Sequence, residues 1–185
     1  VTLVSFQPAL RNDRLLLNGE SVAGRPLQRV SAMLDAVRAY ASISSAATVE
    51  SRNVVRASRT GKGLGTSASA SAALAMAALT AALGPEAVAN TRFLSCMARL
   101  LAGSGCRSAT GGVSLWLSYP GAAHEDSFAL RLDDRGELRD LALLTVPLDS
   151  RIGLNTEQAH RDAPHSPFFC EWMRGREAEV IECLD

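Results

Sequence analysis

Gly61-Lys62-Gly63-Leu64-Gly65-Thr66-Ser67-Ala68-Ser69-Ala70-Ser71 runs without a break into the alanine-rich stretch Ala72 to Leu83. Glycines at 61, 63 and 65 let the backbone turn tightly and come close to a ligand. Thr66, Ser67 and Ser69 bring hydroxyls to a helix start, where N–H groups lack intrahelical partners. The combination reads as a phosphate cradle. It is not a Walker loop, because Lys62 lies between glycines with no Ser or Thr after it. Nor is it the dinucleotide fingerprint, whose last glycine spacing is missing. The plain alternative is a loop with an N-cap. Against it stands a second cluster, Gly103-Ser104-Gly105-Cys106-Arg107-Ser108-Ala109-Thr110-Gly111-Gly112, which sets one fixed cation among small and hydroxyl residues, as a multiply charged anion requires.

Composition bounds the classes. With 185 residues, 47% of them hydrophobic, the chain can bury a real core and reads as one globular domain, or one domain with a piece of another. A formal net charge of zero gives no basic field for nucleic acid, so the arginine clusters read as anion sites or solvated faces. Cys96, Cys106, Cys170 and Cys183 show no Cys-x-x-Cys spacing and no histidine at ligand spacing, which points to reduced thiols in a cytoplasmic protein and to no metal site. No signal peptide or membrane span is expected, since Ala68 to Leu83 is mostly alanine and is interrupted by Ser69, Ser71 and Thr80.

Patterning predicts strands at Val1 to Phe6, at Arg14 to Leu17 before the turn Asn18-Gly19, and at Ala47 to Ala57. Apolar residues at Leu27, Val30, Leu34, Val37 and Tyr40 predict an amphipathic helix from Pro26 to Tyr40. Further helices are predicted at Ser67 to Leu83, stopped by Gly84-Pro85, at about Pro85 to Leu101, and at Pro167 to Met173. Gly112 to Leu117, Ser127 to Leu132 and Leu141 to Pro147 read as later strands, the last two joined by a turn at Asp133 to Gly136. Helices and strands come in blocks, which predicts an α+β fold with a mostly antiparallel sheet packed on helices.

Gly63-Leu64-Gly65-Thr66-Ser67-Ala68 resembles the phosphate-binding motif of the GHMP kinase superfamily. Val1-Thr2-Leu3, Leu17-Asn18-Gly19-Glu20, the glycine loop, Cys106-Arg107-Ser108 with Gly111-Gly112, and His165-Ser166-Pro167-Phe168-Phe169 follow in the order seen in mevalonate diphosphate decarboxylases. The resemblance spans nearly the whole chain. It implies a GHMP kinase-type domain at residues 1–147 that binds ATP, with residues 148–185 as the start of a second GHMP domain. The implied activity is ATP- and Mg2+-dependent decarboxylation of a phosphorylated mevalonate to an isopentenyl phosphate. The alternatives are a GHMP small-molecule kinase that stops after phosphorylating the tertiary hydroxyl, and a non-catalytic nucleotide-binding remnant. The implied partners are the small-molecule substrate and a possible second copy in a homodimer, with no nucleic acid and no membrane.

On this resemblance Lys62, Gly63, Leu64, Gly65, Thr66 and Ser67 hold the nucleotide, and Arg107 is the catalytic residue that grips the substrate carboxylate. Ser104, Ser108, Asn155 and Ser166 complete the substrate set. Ser104 and Ser108 either fix the phosphate tail or brace Arg107, and Ser166 either binds substrate or caps the helix after Pro167. Arg59 stands where the family has proline, Lys62 where it has a small residue, and Asn155 where it has a hydroxyl, which favours a monophosphate tail. The family's amino-terminal lysine and tryptophan motif and its Asp-Ala-Gly aspartate are not found, and Asp126, Asp149 and Asp162 occupy other segments. The expectation is a portion of the enzyme, inactive alone. His124, His160 and His165 read as surface or hydrogen-bonding residues, and Trp116 and Trp172 as core.

Overall fold

The computed structural model describes residues 1–52, 65–133, 135, 140–142, 144 and 156–184. Its first sheet takes the strands β1 (Thr2–Gln7), β2 (Arg14–Leu17), β3 (Glu20–Val22) and β4 (Ala46–Ser51) in the order β1-β4-β2-β3. β1 and β4 pair antiparallel, Thr2 opposite Ser51 and Gln7 opposite Ala46. β2 runs parallel to β4, with Leu15 beside Val49. The sheet is mostly antiparallel, as expected, with one parallel pairing inside it. That pairing arises because β2 and β4 are separated by a helix crossover, not by a hairpin. β3 is the unforeseen second arm of a hairpin with β2, turning at Asn18 and Gly19, both at positive φ. The predicted extension of β4 past Arg52 lies outside the described residues.

One face of this sheet is buried. In β4, Ala47, Val49 and Ser51 are buried while Glu50 is exposed, the period-2 alternation of a half-covered strand. Over it lie α1 (Arg25–Ala41) and α2 (Thr66–Leu83), with α3 (Thr91–Arg99) packed on α2. Met33, Leu34 and Val37 of α1 meet Leu74, Ala75, Ala78 and Leu79 of α2 and Leu94 and Met97 of α3 in one core. α2 is long and apolar enough to cross a membrane, and Ala72, Leu74, Ala75, Ala78 and Leu79 of it lie in the protein core. Arg38, which the spacing puts on the polar side of α1, is largely buried instead. It pairs with Asp13 and Asp35 and donates from Nε to the Ser45 carbonyl at 2.9 Å, while Asp13 accepts the Ala47 amide at 2.8 Å.

The single helix expected over Pro85 to Leu101 is two pieces. A 3-10 turn at Pro85–Val88 precedes α3, and Asn90 caps α3 by accepting the Phe93 amide at 3.0 Å. The arginine cluster is itself a helix, α4 (Gly105–Thr110), followed by the antiparallel pair β5 (Ser114–Trp116) and β6 (Ala129–Arg131). Leu141, Ala142 and Leu144 are not in a strand, and the rest of that predicted strand and the 147/148 boundary lie outside the described residues. α5 (Thr156–Asp162), α6 (Phe169–Arg174) and α7 (Arg176–Glu182) close the described chain. Trp172 of α6 is exposed and packs on Phe169 and under Arg176, contrary to the core role its apolar surroundings suggested.

Candidate active site

Two structures meet at the site. The first is the head of α2. Gly65 stands at its cap with φ +67 and ψ 20, a left-handed conformation that costs a residue with a Cβ, and as a glycine it offers no capping side chain. A helix start of this kind suits an anionic group. Thr66 and Ser67 line a cavity of about 220 Å³ between the sheet end at Thr2 and Ser51 and the first turns of α1 near Arg29. Ser69 turns its hydroxyl back to the Thr66 carbonyl at 3.0 Å.

The second is α4. Gly111 and Gly112 end it at φ +74 and +60 and redirect the chain into β5. Ahead of it, the Trp116 ring lies so close over Gly103 that a Cβ there would collide with it, and its Nε1 donates to Ser127 Oγ at 3.0 Å. Trp116 is therefore a packing residue for the glycine cluster. Cys106 is fully buried, whereas Arg107 and Ser108 are exposed. Arg107 makes no ion pair and no side-chain hydrogen bond among the described residues, in contrast to Arg38, Arg92, Arg131, Arg174 and Arg176, which are paired. A partnerless guanidinium beside small residues is free to take a carboxylate or phosphate.

These two elements touch. Ser71, one turn past Ser67, is fully buried and donates to the Ala98 carbonyl of α3 at 2.9 Å. Gly105, two residues before Arg107, sits so close that an added Cβ would lie 2.7 Å from both the Ala98 oxygen and Ser71 Cβ. The fold thus joins Thr66 and Ser67 to the helix of Arg107 through Gly105, whose missing side chain lets α4 approach. On the far side, buried Ser95 donates to the Cys106 carbonyl at 3.1 Å and accepts the Ala129 amide at 2.9 Å. Thr110 Oγ1 reaches the same Cys106 carbonyl at 3.0 Å. Ser71, Ser95 and Gly105 were not singled out by the sequence. Their signal was a lone hydroxyl at core spacing, Ser95 within Leu94-Ser95-Cys96-Met97 and Ser71 before Ala72.

Of the expected residues, Gly65, Thr66, Ser67, Ser104, Arg107 and Ser108 therefore sit on two contacting helices or at their starts. Ser104 precedes α4 without capping it by its side chain. Ser166 stands apart in its hydrogen bonding, its hydroxyl accepting the Phe168 amide at 3.3 Å in a local turn ahead of α6, whose own cap residue is Phe168. Lys62, Gly63, Leu64 and Asn155 lie outside the described residues. Among the described residues no three His, Cys, Asp or Glu side chains gather as a metal site. All four cysteines are free, and burial pushes the thiols of Cys96 and Cys106 up, with Arg99 and Arg107 respectively among the groups pulling back. His124, exposed, meets Arg99 through Nδ1 at 2.5 Å.

With that geometry in hand, comparison with known proteins is decisive. Residues 1–129 match the family described as the diphosphomevalonate decarboxylase-like N-terminal domain. The chain belongs to this family. A mevalonate 3,5-bisphosphate decarboxylase of Thermoplasma acidophilum is 33% identical over 119 residues, 64% of this chain and 28% of that protein. A phosphomevalonate decarboxylase of Haloferax volcanii is 32% identical over 188 residues, covering 100% of this chain and 53% of the relative. Among solved structures, the mevalonate diphosphate decarboxylase of Enterococcus faecalis superposes with a TM-score of 0.76 at 32% identity, over 97% of this chain and 52% of that one. Another, MDDEF in complex with MVAPP, AMPPCP and magnesium, gives 0.74 at 31% identity, over 97% of this chain and 53% of that one. The chain thus spans about a quarter to a half of these relatives. The α+β, GHMP-type fold expected from the sequence is the fold observed.

Proposed function

We propose that the protein carrying this chain catalyses ATP-dependent decarboxylation of a phosphorylated mevalonate to an isopentenyl phosphate, and that residues 1–147 form its ATP-binding domain and 148–185 the start of a second domain. The observation that supports this most is the contact between the helix that starts at Thr66 and the helix of Arg107, an arginine unpaired among the described residues, in a chain of the decarboxylase family. The cavity at Thr66 and Ser67, about 220 Å³, is smaller than the roughly 300–1,000 Å³ of whole-ligand pockets, which suits a phosphoryl group better than a whole nucleotide. Thr66, Ser67 and the start of α2 would hold phosphate oxygens and stabilise the charge of transfer. Magnesium would be held mainly through the nucleotide's own phosphates, which fits a site with no carboxylate cluster among the described residues. Arg107 would hold the substrate carboxylate and so set the tertiary hydroxyl toward the phosphoryl donor. Once that hydroxyl carries phosphate, the C–O bond breaks as phosphate leaves with its electron pair. The carboxylate's C–C bond then supplies the electrons of the new double bond and carbon dioxide departs. Ser104 and Ser108 stand beside Arg107 for the phosphate tail, and Asn155 and the relative aligned over the whole chain favour a monophosphate.

A second reading follows from the Thermoplasma relatives, both named mevalonate 3,5-bisphosphate decarboxylase. A substrate that already carries the 3-phosphate needs no phosphoryl donor. The deciding measurement is labelled carbon dioxide and ADP from the full-length protein, with mevalonate 5-phosphate and 5-diphosphate plus ATP, and with the 3,5-bisphosphate alone. Matched carbon dioxide and ADP are expected. ADP with the carboxylate retained would make it a kinase, release from the bisphosphate alone would favour the second reading, and no turnover would leave a nucleotide-binding remnant.

A further inference from the structure

α4 spans only Gly105–Thr110, too short to hold a helical register by its own hydrogen bonds, since isolated helices below about 12 residues are marginal in water. Its position is imposed from outside, by the close approach of Gly105 to Ser71 and Ala98 and by hydrogen bonds at one carbonyl. Ser95 lies fully buried in the middle of α3, where a serine usually bonds back along its own helix or points to solvent. Here the hydroxyl points sideways, donating to the Cys106 carbonyl at 3.1 Å and accepting from the Ala129 amide of β6 at 2.9 Å. Thr110 Oγ1 donates to that carbonyl at 3.0 Å and approaches the Ala129 carbonyl at 3.2 Å. Cys106 is the residue before Arg107, its side chain fully buried, whereas the Arg107 side chain is exposed and has no hydrogen-bond or ion-pair partner among the described residues. Nothing else described holds the guanidinium, so its place is set through its backbone.

We infer that Ser95, seconded by Thr110, is a positioning residue for Arg107: the hydroxyls fix the Cys106 carbonyl between α3 and β6 and thereby aim the guanidinium at the substrate. The inference rests on the reading of Arg107 as the substrate-binding arginine. The alternative is that Ser95 only satisfies the Ala129 amide and serves stability. Stability alone would affect every ligand and every background alike, whereas a residue acting through Arg107 has nothing to act on once the guanidinium is gone.

The test is a double-mutant cycle in the full-length protein, with kcat and KM measured separately for phosphorylated mevalonate and for ATP. Ser95→Ala is expected to lower kcat/KM for phosphorylated mevalonate by roughly tenfold to a hundredfold, the cost of misplacing a binding group by about an ångström. The KM for ATP should stay within about twofold, and in an Arg107→Ala background the same change should cost under about threefold. An equal loss in both backgrounds, or no loss in either, overturns the inference. Where Ser95→Ala fails to fold, Thr110→Val takes its place in the cycle, with Thr110→Ser expected to retain wild-type kinetics. If Arg107→Ala itself leaves kcat/KM unchanged, the substrate-binding reading fails and the inference falls with it. A damaging Arg107→Ala beside a silent Ser95→Ala removes the inference alone.

Discussion

The two glycine and hydroxyl clusters look alike in composition and use glycine for opposite reasons. At Gly65 the need is conformational: φ is +67, and nothing lies within 4 Å of where a Cβ would stand. At Gly105 no positive φ is involved, and the need is volume, because Ser71 and the Ala98 carbonyl occupy the space a Cβ would take. The first cluster ends at a helix head. The second is driven against α2 and α3 so that its arginine is presented from a rigid base. A motif of small residues therefore says that backbone comes close to something, but not whether that is ligand or protein.

Substitutions can separate the two uses. The largest effect is expected at the group that the second cluster presents. Arg107→Lys keeps the charge but loses the fork, and should cost about 2–5 kcal/mol of transition-state stabilisation, read as kcat/KM for phosphorylated mevalonate, with the urea midpoint nearly unmoved. Unchanged kinetics would take Arg107 out of the site. Next is Gly105→Ala, expected to lose about 1–3 kcal/mol of stability in urea unfolding by overpacking against Ser71 and Ala98. A stability equal to wild type would mean that α4 moves away freely, and the contact between the clusters would lose its meaning.

Gly65→Ala should be milder in stability, about 1 kcal/mol for a left-handed Cβ, and should weaken ATP more than phosphorylated mevalonate in a binding titration. Equal weakening of both ligands would make Gly65 a plain turn. The smallest effect concerns the exit of the second cluster. There the Asp133 carboxylate accepts the Val113 amide and Arg131 Nε, each at 3.0 Å. Desolvation opposes its charge, but the Arg131 and Val113 hydrogen bonds and the Arg131 charge outweigh it and hold the carboxyl below its ordinary range. Its contribution is therefore present above the unfolded carboxylate pKa, about 4, and is lost as pH falls through the lower folded value. The Tm difference between wild type and Asp133→Asn should shrink from pH 7 to pH 3. A difference constant across that range would discard the assignment.

Local patterning carried much of the fold. β1, β2, α1 and α2 lie within a residue or two of where alternation, the apolar spacing from Leu27 to Tyr40 and the Gly84-Pro85 stop put them. β3 was missed because Glu20-Ser21-Val22 is too short and polar to show a period, and exists because the Asn18-Gly19 turn folds it onto β2. The break in the helix after Pro85 was legible in Asn90-Thr91 but was overridden by the apolar run that follows. Trp172 was misplaced because an apolar pattern does not say which side of a short helix finds a partner.

The sequence by itself determined the chemistry on offer: a glycine-rich helix head with hydroxyls, one arginine among small residues, and an order of motifs that places the chain in its family. Such signals are local, since turn conformation, helix starts and residue charge depend on neighbours along the chain. Only the tertiary structure decided that the two clusters touch, that Arg38 is bound in an ion-pair knot while Arg107 is unpaired among the described residues, and that Ser71 and Ser95 serve as buried ties. Those facts depend on which surfaces residues far apart in sequence present to one another. A serine has the same local pattern whether its hydroxyl meets water or a carbonyl of the next helix; packing alone makes that choice.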